Sequence, residues 1–181
     1  DGVTYATGVQ YQENLPNAPY PLKGLDGEDL PFGLVTRDLW HVFYQNQMQI
    51  NDGKNDRFVA WSDAGGLPMG YYAQSQYSLR LWDVAKEFVL CDNFFQGTFG
   101  GSFLNHQYLI SATAPTYPNA ATSVAKSQIA TLESDDPTGT RLKPLEQSPA
   151  SAMVGAPQFG PSALTPDGFA VNTMAPPYWP T

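Results

Sequence analysis

The segment Phe99-Gly100-Gly101-Ser102-Phe103-Leu104-Asn105-His106 gathers the residue types in this sequence best suited to chemistry at close quarters. Two successive glycines let the chain turn sharply. Ser102 then falls in the first turn of a predicted helix, where several backbone N–H groups lack an intrahelical partner. Those amides and the helix dipole favour an anion such as phosphate, with a hydroxyl placed inside the site. A nearby metal ion would lower the pKa of that hydroxyl enough for attack on phosphorus. His106 is four residues beyond Ser102, so the spacing puts both on one helix face. The same pattern has a plainer meaning: serine after glycine at a helix start commonly caps the helix, and a lone histidine one turn on commonly sits at the surface or in the interior. A serine esterase elbow, G-x-S-x-G, fits poorly because Leu104 stands where the second glycine belongs.

His41, the other of the two histidines, follows Asp38 by one turn on a helix predicted to start at Arg37 behind a Thr36 cap. Glu13-Asn14 and Asp135-Asp136 carry carboxylate and amide oxygens that suit hard cations, yet both sit in proline-containing loops and read as solvated turns. Asn51-Asp52-Gly53 opens like a calcium loop but lacks the spaced acids and terminal glutamate, so it reads as a turn.

The elements that must position these groups follow from apolar spacing. Leu39, Val42, Phe43 and Ile50 recur at helical period until Asn51-Asp52-Gly53 stops the helix. A second helix is expected from after Ser75 to about Glu87, apolar over much of its circumference and therefore largely buried. Phe88-Val89-Leu90-Cys91 is a continuous apolar run, the pattern of a strand covered on both faces. Helix followed by buried strand implies an α/β fold with a parallel sheet. A third, mostly buried helix should begin at Ser102 and end before Pro115. Residues 1–31 read as an extended lead-in broken by Pro16, Pro19, Pro21 and Pro31. Residues 32–114 read as the α/β segment with the Ser102 motif, and 115–181 as a loop-rich insertion with short strands, one of them over 168–171.

Composition narrows the function. There are 9 Lys and Arg against 17 Asp and Glu, a net charge of −8. A protein that tracks a phosphate backbone needs the opposite sign, so nucleic acid is excluded as a partner. No apolar run approaches the roughly 20 residues needed to span a bilayer. The single cysteine, Cys91, allows neither an internal disulfide nor a thiolate cluster. The chain opens at Asp1 without a basic and apolar leader, and its low charge with many Tyr, Asn and Gln suits a periplasmic or secreted protein.

Taken in order, Asp38-Leu39-Trp40-His41, residues 51–59 (NDGKNDRFV), Met69-Gly70-Tyr71-Tyr72, residues 85–95 (AKEFVLCDNFF) and residues 99–107 (FGGSFLNHQ) resemble the bacterial acid phosphatase and phospholipase C phosphoesterase family. The likeness runs over about residues 30–119 and returns at 164–173. Gly-Gly-Ser-Phe-Leu-Asn-His is closer to the acid phosphatase branch. The resemblance implies an alkaline-phosphatase-like α/β fold, with a sheet between helices, and a divalent metal ion. It also implies that Ser102 is the nucleophile and a ligand of that metal, and that His41 binds the phosphoryl oxygens or the leaving group. Asn105 and His106 are further motif members, as supporting or phosphate-binding candidates.

The family's Glu-Asn and Asp-Asp metal pairs stand in sequence contexts that Glu13-Asn14 and Asp135-Asp136 do not share. The resemblance therefore implies a middle segment of a longer enzyme. The rest of that phosphoesterase would supply most metal ligands, and the segment alone would not turn over substrate. The expected function is hydrolysis of small phosphate monoesters through a phosphoserine. A phospholipase C-type phosphodiesterase is the nearest alternative. A non-catalytic binding fragment is the alternative of another class.

Overall fold

The computed structural model describes residues 18–149 and 155–173; Glu13-Asn14 therefore lies outside the described residues. The fold is α/β. Strand β1 (Tyr20–Pro21) runs parallel to β2 (Gly70–Tyr71), with Tyr20 opposite Gly70 and Pro21 opposite Tyr71. A side chain at Gly70 would collide with Leu22, so the pairing needs glycine there.

Helix α1 spans Phe43–Ile50 and buries Tyr44 and Met48, one turn apart, on the core. It ends as the sequence predicts: Asn51 and Asp52 take left-handed backbone angles, φ 47° and 54°, and Gly53 follows at 83°. Its start differs from the expectation. Residues 37–42 are not helical, Val42 is extended, and His41 precedes the helix. The cause lies far along the chain: the first N–H of α1, at Phe43, donates to Asn172 Oδ1 at 3.0 Å, which does the capping that Thr36 was expected to do.

The region expected as one buried helix is two short ones, α2 (Ser75–Ser78) and α3 (Leu81–Glu87), broken where Leu79 turns extended, and α3 buries none of its residues. Phe88–Leu90 then forms no strand and stands 67–82% exposed. A strand needs a neighbour to take its backbone hydrogen bonds, and among the described residues none lies beside this run.

Helix α4 (Ser102–Ser111) ends at a left-handed Ala112, before Pro115 as expected. It is less buried than predicted: Leu104 is its buried residue, while Leu109 and Ile110 face outward. Phe103 and Tyr108 pack on the main core, where Tyr44, Met48, Ala60, Trp61 and Leu104 meet Ala130, Leu142 and Val171. The described residues of 115–149 and 155–173 fold as single bridges and 3-10 turns, among them Thr116 with Phe169 and Leu164 with Ala170. Their apolar side chains thus close the core beneath α1 and α4, which fixes the two helix starts relative to each other.

Candidate active site

Gly101 is the N-cap of α4 and Ser102 its first residue, so the serine is inside the helix rather than capping it. Its side chain is exposed, and no side-chain cap bond forms at this terminus. The hydroxyl is therefore not consumed by the fold, and it stands among the amides of the first turn.

The glycine bend lies directly on the segment that carries His41. A Cβ at Gly101 would overlap the His41 carbonyl oxygen and would lie 3.9 Å from His41 Cδ2, the ring carbon next to Nε2. One residue earlier, Gly100 has φ 138°, and a Cβ there would meet Phe43 and Leu104 at 3.4 Å. Only glycine at both positions permits this approach. Two residues distant in sequence, His41 and Ser102, are thus neighbours across a backbone contact.

The His41 ring is half free. Nδ1 lies 2.6 Å from the Leu39 carbonyl oxygen and 3.7 Å from Asp38 Oδ1. A carbonyl only accepts, so Nδ1 carries a proton and Nε2 is left for other work. The ring is 65% exposed.

The backbone around His41 is held from two remote places. The Trp40 N–H donates to Asp63 Oδ1 at 3.2 Å, and Arg37 pairs with Asp63 Oδ2 at 3.3 Å. Beyond His41, Phe43 N–H donates to Asn172, whose Nδ2 donates to the Ser162 carbonyl at 3.1 Å. Nothing in the residues around Asp63 marks it in the sequence. Asn172 lay within the motif echo at 164–173 but without a role.

Asn105 stitches the glycine bend to α4. Its Oδ1 accepts from Thr98 N–H and its Nδ2 donates to the Gly101 carbonyl, both at 3.4 Å. His106 folds back so that Nδ1 donates to the Ser102 carbonyl at 2.7 Å. Its ring thus touches the serine backbone and is otherwise exposed.

Asp136 is committed to its own loop. Its carboxylate accepts from Thr138 N–H and hydroxyl, Thr140 N–H and Arg141 N–H, at 2.6–3.0 Å. Burial alone would raise its pKa, but the Thr138 hydroxyl and these amides outweigh it and hold the carboxyl at about 2. The pair Asp135-Asp136 is the turn that the sequence predicts. Among the described residues, no group of three or more His, Cys, Asp or Glu is arranged to hold a metal ion. No helix of the described residues is long and apolar enough to cross a membrane.

The sequence model of the Phosphoesterase family matches residues 1–175. The chain belongs to the Phosphoesterase family. Membership makes it part of an enzyme class that hydrolyses phosphoric esters, in agreement with the resemblance carried by the Ser102 and His41 motifs. No curated protein and no solved structure gives a significant match.

Proposed function

We propose that this phosphoesterase chain supplies the nucleophile and a phosphoryl-binding histidine for hydrolysis of small phosphate monoesters, in the manner of acid phosphatases. The observation that supports this reading most directly is the apposition of Gly101 and His41, which brings the His41 segment against the helix N-terminus that carries the uncommitted Ser102 hydroxyl.

In this reaction the substrate phosphate rests against the first-turn amides of α4, which stabilise charge on its oxygens. Ser102 Oγ attacks phosphorus in line, forming a phosphoserine as the ester oxygen departs. His41, carrying a second proton on Nε2, the ring nitrogen not engaged with Leu39, donates it to a phosphoryl oxygen or to the departing ester oxygen, which leaves as the alcohol. Water then cleaves the phosphoserine and releases phosphate. Asn105 keeps the bend in shape, and His106 lies against the Ser102 backbone.

A divalent cation belongs to this reading, with Ser102 as its ligand among the described residues and most of the others on the remaining segments of the same phosphoesterase. Its chemistry would be to lower the serine pKa and to neutralise phosphoryl charge. The described residues do not form a donor set for it, so no step above runs through it. The outward-facing Phe88, Val89 and Leu90 support the idea of partner segments, since a run of this kind is normally covered.

Replacing Ser102 by alanine in the complete phosphoesterase tests the assignment. Loss of the nucleophile should lower turnover of a phosphate monoester by at least about 1,000-fold. Near-normal turnover would remove Ser102 from the role. Faster release of phosphocholine from phosphatidylcholine than of phosphate from a monoester would favour the phosphodiesterase alternative.

A further inference from the structure

The segment that carries His41 has no regular secondary structure of its own, yet its backbone is fixed on both sides of the histidine. Asp63 takes the N–H of Trp40, one residue before His41, and Asn172 takes the N–H of Phe43, two residues after it. We infer that Asp63 and Asn172 are positioning residues that aim the His41 ring at the Ser102 turn. This rests on the reading of His41 given above.

Each clamp is built from the core outward. The Asp63 side chain is 9% exposed, and Arg37 neutralises its second oxygen, so a nearly buried carboxylate is balanced where it meets the Trp40 amide. Asp63 follows Trp61, a core residue whose carbonyl accepts from Gln49 Nε2 of α1 at 3.3 Å. Asn172 follows Val171, another core residue, and is braced through Ser162. Both acceptors are therefore anchored in the cluster that also holds Leu104 of α4. The imidazole and the serine are referred to one rigid body, although the peptide bearing His41 is extended and its ring exposed.

Neither clamp touches the ring. Their effect on it passes through the backbone of residues 40–43 and through the Leu39 carbonyl that holds Nδ1. Losing a clamp should leave substrate binding at the α4 amides nearly intact while letting the ring drift. A displacement of about 1 Å at a reacting group costs up to about 100-fold in rate.

The test uses the complete phosphoesterase with p-nitrophenyl phosphate. Asn172→Leu and Asp63→Leu should each lower kcat roughly 10- to 100-fold with KM changed less than about threefold. Asp63→Asn keeps an acceptor for the same amide and should return to within about threefold of the parent, whereas Asn172→Asp keeps the acceptor but loses the donor to the Ser162 carbonyl and should recover part of the loss. In a His41→Ala background, adding Asn172→Leu should cost less than about twofold, because the group it positions is gone. An equal loss in both backgrounds, or no rescue by the acceptor-keeping variants, overturns the inference. If Asn172→Leu does not fold, the Asp63 pair decides by the same criteria. The His41 imidazole resonances give an arm independent of turnover: they should move in the leucine variants and return in the acceptor-keeping ones. Full activity of His41→Ala would refute the role given to His41, while resonances unmoved by the clamp variants would refute the clamps.

Discussion

Gly101 and the carbonyl oxygen of His41 are in such close contact that no side chain fits between them. This contact brings the turn that carries Ser102 against the segment of a remote histidine, and under the proposed function it makes glycine a requirement there without giving it any chemistry.

Gly101→Ala should therefore act more strongly on turnover than on overall stability. The added methyl must push the His41 segment away from α4, and a shift of about 1 Å there predicts a fall in kcat of about 100-fold. A thermal melt run alongside the kinetics separates the two effects. Unchanged kcat in a folded variant would show that the spacing is not needed.

Asp136 sets the acid limit of its loop. Its carboxyl titrates at about 2 in the folded chain against 3.8 as the ordinary value. A depressed pKa contributes stability that is complete above about pH 4 and is lost as pH falls toward 2. Asp136→Asn should cost about 1 kcal/mol at neutral pH, after allowance for solvent screening of a partly exposed group. Denaturant melts at pH 7 and pH 3 check this, since the gap between parent and variant should narrow at the lower pH.

Tyr44 sets an alkaline limit. Burial, and then the negative charge of Asp167, push its phenol from 10.0 to about 12. The folded state holds the proton more tightly than the unfolded state, so stability is retained below pH 10 and declines as pH rises from 10 toward 12. Tyr44→Phe should lose less stability than the parent over that interval. Melts in the two proteins at pH 9 and pH 11 measure the difference.

The Phe88–Leu90 run gives a prediction about association. In this chain alone, three large apolar side chains standing 67–82% exposed should bind a hydrophobic dye and promote self-association. Val89→Lys should weaken both without lowering the melting temperature by more than about 2 °C, because the side chain has little to lose by leaving its surroundings. Light scattering and dye fluorescence give the readout.

The parts of this fold that were legible in sequence are those decided locally. Gly100-Gly101 before an apolar helical period placed Ser102 at the start of α4 to the residue, and Asn51-Asp52-Gly53 marked the end of α1. The start of α1 was not legible from nearby residues, because its cap, Asn172, is 129 positions away from Phe43. Local spacing accordingly puts His41 on a helix, whereas it lies in the non-helical approach to one. The run 88–91 shows a second kind of limit. A continuous apolar stretch states that a segment suits burial, but strand formation depends on a neighbour that the pattern itself does not carry. For the proposed site, motif order points to Ser102 and His41, and the echo at 164–173 contains Asn172. The nearly buried carboxylate of Asp63 has no local signature, since a lone aspartate after serine resembles any turn.

The bond from Phe43 to Asn172 also has a temporal meaning. During synthesis, the amide that opens α1 waits for an acceptor made more than a hundred residues later. A nascent polypeptide that already exposes Ser102 would still lack the anchor beyond its histidine, so the backbone there is fixed only once Asn172 has been made.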